Sequence, residues 1–178
     1  SVCMVSNHPY RTVAVALLVA LAAMGTMPAV AAGEDPEVIT ECTTIDEPGH
    51  YELQSNIEDS SIQNPCIEIT ADDVTLDGND FKIQGPQIGE YDNVGILVDA
   101  PHEHTVTIKN VEVTGLNDGI RVIGGTVEIH DVYVHYNYGD GIDADGAEKV
   151  TISDSRVKKN EDEGVEIDDV DKSVVEES

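Results

Sequence analysis

The sequence predicts an all-β chain wound into a right-handed parallel β-helix, a solenoid with an N-terminal capping coil. Three observations carry that reading. An apolar–x–apolar–x–Asn/Asp–x–x–apolar frame recurs as Val106-Ile108-Asn110-Val113, Val127-Ile129-Asp131-Val134 and Val150-Ile152-Asp154-Val157. An earlier copy, Val74-Leu76-Gly78-Phe81, carries Gly at the turn, and a fifth begins near Ser173 and places Val175. The starts at 74, 106, 127, 150 and 173 are 32, 21, 23 and 23 residues apart, a period that belongs to repeat architectures. A second frame interleaves with it, Gly followed by alternating apolar residues, at Gly95-Ile96, Gly119-Ile120, Gly141-Ile142 and Gly164-Val165. Finally, the apolar residues alternate with polar ones at period two, the mark of half-buried strands, and no helical pattern separates the repeats.

Taken from the N-terminus, residues 1–32 carry no acid and one base, Arg11, before the apolar run Thr12–Met27 and the small residues Ala29-Val30-Ala31-Ala32. This is the pattern of a signal peptide; as a membrane anchor the run is short. No membrane span is expected after cleavage. Residues 33–66 depart from the frame and are expected to form a linker and capping coil, covering strand edges that would otherwise be open. Residues 67–178 are expected to be β-helix coils, truncated at the C-terminus. The polar segment Gln84–Asn93 lengthens the first step and reads as a loop. Stacked coils would place Ile108, Ile129, Ile152 and Val175 in one inward column and Ile96, Ile120, Ile142 and Val165 in another.

Cys42 and Cys66 lie beyond the leader. In an exported chain an isolated pair is usually a disulfide, here pinning the cap to the first full coil; two buried thiols is the alternative.

The chain has 36 acidic and 9 basic residues, a net charge of −27, and all the acids lie after residue 32. A phosphate polymer would be repelled, so nucleic acid is not an expected partner. Two readings of the acidity stay open: a salt-adapted surface that keeps water and cations bound, or a calcium-binding surface. The even spread of acids favours the first.

The stretch CIEITADDVTLDGNDFKIQG (66–85), with GILV, VTIKNVEV, GIRV and VTISDSRV after it and ECTTIDEPGHYELQSNIEDS (41–60) before it, resembles the exported NosD-like parallel β-helix proteins of salt-loving archaea. The resemblance covers about residues 38–178. It implies the fold and an extracellular or cell-surface location. That broad group includes carbohydrate-binding proteins, sugar-cleaving enzymes and a protein of copper delivery, so it implies no single activity.

Candidate chemistry is weighed on that scaffold. Asp118, Asp140 and Glu163 precede the glycines of the second frame, with Asn93 expected in the same place one coil earlier. Asp140, Asp143, Asp145 and Asp168, with Asp169, form the densest acidic group, a candidate calcium set against a salt-screened face; no cofactor is required. Asp140, Asp143 and Asp168 could supply the two carboxylates of glycoside hydrolysis. Arg121 could hold a uronate for a lyase, or simply pair with Asp143 across strands. Tyr133, Tyr136 and Tyr138 cluster within six positions and could stack on sugar rings, or pack a corner around Asn137 and Asn160. A copper reading rests on His102, His104, His130 and His135: the first two form a His-x-His, and the other two are expected outward in a different part of the coil. The expected function is an exported cell-surface protein that binds a glycan or serves as a structural module. The alternatives are a polysaccharide-acting lyase or hydrolase and a copper-binding protein.

Overall fold

The computed structural model describes residues 35–58, 62, 65–87, 92–101 and 105–176. The leader expected over residues 1–32 lies outside the described residues, as do His102 and His104.

After β1 (Glu37–Ile39), strands follow in groups of three, one group per coil: β2 (Thr43–Ile45), β3 (Gly49–Leu53) and β4 (Ile57–Glu58); then β5 (Ile67–Ile69), β6 (Val74–Asp77) and β7 (Lys82–Gln84). Next come β8 (Val94–Val98), β9 (Thr105–Lys109) and β10 (Glu112–Thr114); then β11 (Asp118–Val122), β12 (Thr126–His130) and β13 (Tyr133–His135). The described chain closes with β14 (Ile142–Asp145), β15 (Lys149–Ser153), β16 (Arg156–Lys158), β17 (Val165–Asp168) and β18 (Lys172–Glu176). Like strands of successive coils pair in parallel into three sheets: seven strands from β1 and β3 to β18, six from β2 to β17, and five from β4 to β16. This is a right-handed parallel β-helix of about five turns, with no helix among the described residues.

The register matches the sequence frames. Ile108, Ile129, Ile152 and Val175 are consecutive partners in the seven-stranded sheet. Ile96, Ile120, Ile142 and Val165 are consecutive partners in the six-stranded sheet. The six isoleucines are fully buried, and each such side chain stabilises the stack by roughly 1.5–3 kcal/mol. Val175, on the last described strand, is 51% exposed.

The glycine frame has a steric cause. A Cβ on Gly95, Gly119 or Gly141 would lie 2.5 Å from the carbonyl oxygen of the glycine one coil on. Only a residue without a side chain allows coils to approach so closely there.

One register position differs from the sequence expectation. Asp118 stands opposite Val94, not Asn93. Asn93 is fully buried, and its side-chain oxygen accepts the Asn117 N–H at 2.6 Å. The amide therefore bonds one residue earlier in the coil than the acids that follow it.

Residues 37–58 depart from the frame in sequence but wind like the rest. Tyr51 is the register partner of Leu76 and is buried, so an aromatic fills a place that later coils give to aliphatics. Cys42 and Cys66 are joined by a disulfide, with Cα atoms 4.4 Å apart. They precede β2 and β5, so the bond ties equivalent points of consecutive coils.

Candidate functional site

Two outward faces carry the candidate residues. The first lies on the six-stranded sheet. Asp118 is 2% exposed. Its Oδ1 accepts the Asp140 N–H at 3.0 Å, and Asp140 Oδ1 in turn accepts the Glu163 N–H at 2.8 Å. The acids thus cap the backbone of the next coil. Arg121 pairs with Asp118, with Asp143 at 3.0 Å through Nε, and with Asp92 at 3.5 Å. Burial alone would lower the Arg121 pKa; the charges of Asp118, Asp92 and Asp143 outweigh it and raise it.

Asp143 is the register partner of Arg121. Its pKa is raised, first by burial and then by Asp118 and Asp140, against the lowering effect of Arg121. A raised carboxyl is what a general acid in sugar hydrolysis needs, but here one oxygen is held by Arg121. Asp145 and Asp168 are register partners further along, both exposed. The carboxylates that converge are instead those of Asp140, Glu163 and Glu166, with oxygens within 4.8 Å of one another. Glu166 is raised first by the charge of Asp140, then by slight desolvation, Glu163, Asp143 and Asp168. Such oxygens are of the type calcium takes. One Asp140 oxygen is already bonded to backbone. The sequence signal for Glu166 was its place in the Gly frame, one coil after Asp143.

The second face lies on the five-stranded sheet. Lys82, Glu112, Tyr133 and Arg156 are consecutive register partners along it, and Gln84, Thr114, His135 and Lys158 form the neighbouring row. Tyr133 stacks on His135 with ring centroids 4.0 Å apart. Lys158 Nζ lies 5.0 Å and Arg156 Cζ 6.0 Å from the Tyr133 centroid, which is cation–π distance. His135 Nε2 meets Glu112 Oε1 at 3.1 Å. Its Nδ1 is buried without a partner among the described residues.

The corner after this sheet repeats in a left-handed conformation: Gln87 (φ 58°), Gly115 (φ 72°), Tyr136 (φ 54°) and Lys159 (φ 58°). The N–H of each of the first three donates to the carbonyl of the next. Glycine suits that geometry, and a bulky side chain there is strained. Tyr136 nevertheless occupies it, 53% exposed. Lys159 Nζ donates to the Tyr136 hydroxyl at 2.6 Å and lies 4.8 Å from its centroid. That hydrogen bond lowers the Tyr136 pKa and raises that of Lys159.

Beside this corner lies a groove of about 490 Å³, lined among others by Lys82, His135, Tyr136, Tyr138 and Lys159. Tyr138 donates its hydroxyl to the Gln87 carbonyl. Asn137 and Asn160 stack as a ladder behind it, with Asn160 Oδ1 accepting the Asn137 N–H at 3.1 Å. The three candidate tyrosines are thus brought to one sheet face and its corner, and two of them line the groove. The lysines were not selected from sequence, and His135 was singled out there only among the copper-reading histidines. Their signal was the alignment of Val134-His135-Tyr136-Asn137 with Val157-Lys158-Lys159-Asn160 one coil later.

A family model described as the right-handed β-helix region matches residues 66–178. The chain belongs to that family. No curated protein and no solved structure matches it significantly.

Proposed function

We propose that the chain is an exported protein that binds a glycan on the face of the five-stranded sheet. The observation that carries this reading is Tyr136: an aromatic ring, half exposed at a groove wall, kept in a left-handed corner that glycine would occupy without strain. Backbone strain retained at an exposed site is a pointer to function. Tyrosine suits sugar because its face stacks on apolar pyranose surface and its hydroxyl bonds at the edge. Tyr133 and Tyr138 extend the aromatic surface on either side of the corner. Export rests on the leader pattern of residues 1–32, with which a disulfide is compatible. A salt-adapted surface remains the reading of the even acidic charge.

The test is a glycan binding screen paired with an assay for new reducing ends, using the parent and Tyr136→Gly. Glycine relieves the corner and removes the ring. Weakened binding together with an unchanged or higher melting midpoint supports the reading. Parental affinity in Tyr136→Gly overturns it. Reducing ends released by the parent would instead favour the enzymatic alternative, which Asp143→Asn then probes.

A further inference from the structure

The chain has only nine basic residues against 36 acids, and eight of the nine follow the leader. Four of those eight, Lys82, Arg156, Lys158 and Lys159, lie on the five-stranded sheet and its corner. Elsewhere Lys109 pairs with Asp77 at 3.1 Å, Arg121 meets three aspartates and Lys149 reaches Glu128 at 4.0 Å, while Lys172, on the last described strand, closes no ion pair among the described residues. On this face Lys82 pairs with Glu58 at 3.2 Å. Arg156, Lys158 and Lys159 have no carboxylate within ion-pair distance among the described residues; their neighbours are tyrosine rings. Acids are present too, Glu112 facing His135 and Glu161 at the groove, yet they leave these three cations unneutralised. In a chain this acidic, a cation that meets an aromatic ring and no carboxylate among the described residues is the group that needs a purpose.

We propose that the glycan held in this groove and across the adjoining sheet face is anionic, bearing carboxylate or sulfate groups that Lys159 at the groove and Lys158 beside His135 on the sheet engage while the Tyr136 ring stacks on the sugar. The proposal rests on the glycan-binding reading above. The half-exposed Tyr136 ring, with the Lys159 ammonium 4.8 Å from its centroid, presents one surface for a pyranose face and one charge for a substituent on that pyranose. A nucleic acid fits less well. A duplex carries a charge every ~1.7 Å and would set that density against the acidic faces of the solenoid, whereas a glycan with one charge per sugar sets fewer charges against them.

The experiment measures affinity of the full chain for matched polymers: polygalacturonate against its methyl ester, and dextran sulfate against dextran. Salt is set at about 0.15 M and then about 1 M, where screening shortens from ~8 to ~3 Å. The charged member of at least one pair should bind about tenfold more tightly at the lower salt, with the gap shrinking at the higher. Which pair shows the gap tells carboxylate from sulfate. In Lys158→Ala/Lys159→Ala the gap should fall to about twofold or less. In Tyr136→Gly both members should weaken together. Equal affinity for charged and neutral members, or a gap that survives loss of both lysines, overturns the anionic inference and leaves the glycan reading standing. Binding of none of the four polymers overturns both for these chemistries. Binding of an oligothymidylate as tight as the best glycan overturns the inference in favour of a general polyanion site.

Discussion

The face of the six-stranded sheet and the face of the five-stranded sheet arise from the same coils, yet they treat charge in opposite ways. On the first, Asp118 and Asp140 cap backbone N–H groups of the next coil, and Arg121 is enclosed by three aspartates. Charge there is used to hold coil on coil. On the second, three cations lie against tyrosine rings with no carboxylate at ion-pair distance among the described residues. Density of charged residues therefore does not mark the site. What marks it is cationic charge set against aromatic rings instead of carboxylates.

Four substitutions test that contrast, from the largest expected effect to the smallest. Arg121→Met should be the most damaging, because it leaves the buried Asp118 carboxylate without its cation; breaking such a pair costs about 3 kcal/mol or more. Denaturant melts measure it, and Asp118→Asn/Arg121→Met should recover much of the loss. A melt as stable as the parent would mean that the first face is not structural. Asp77→Asn comes next. Burial alone would raise the Asp77 pKa, but bonds from the Asn79 N–H, Asn110 and Lys109 outweigh it and hold it low. A lowered carboxylate stabilises the fold above its unfolded pKa and stops doing so as pH falls through its folded value. Asp77→Asn should therefore cost about 1 kcal/mol at pH 7 and progressively less on acidification. Lys158→Ala/Lys159→Ala should shift the melting midpoint by less than about 2 °C, since neither lysine closes an ion pair among the described residues. A large drop would assign these lysines to the scaffold. Smallest is Glu166→Gln, with the opposite pH sign to Asp77. Glu166 is raised chiefly by the charge of Asp140, so its ionised form opposes folding. The variant should melt slightly higher than the parent at pH 7 and low salt, and the difference should vanish below the carboxylate range or in high salt.

Much of the scaffold was legible because its rules are local. Period two places Ile120 and Ile129 inside, and the stacked glycines fix where coils meet. The site was less so, because partnering is decided between coils. The aspartates Asp140, Asp143, Asp145 and Asp168 are close in the linear pattern. The structure draws Asp143 to Arg121 and gathers Asp140 with Glu163 and Glu166. Tyr51 shows the same limit in the interior: nothing in its neighbourhood announces that it will take the place of Leu76. The tyrosines were visible as a cluster. The strain at Tyr136 was not, since the frame does not say which corner residue turns left-handed.

At the left-handed corner Gln87, Tyr136 and Lys159 are exposed and stand outside the aliphatic columns, so they can be exchanged without repacking the interior. A lineage of such chains can rewrite this surface one residue per coil, at a pitch of ~4.8 Å. Duplication of a coil copies one character of the surface along with the fold that supports it. Divergence of that copy then costs little, because glycine is always available at the corner as a neutral intermediate between one displayed side chain and the next.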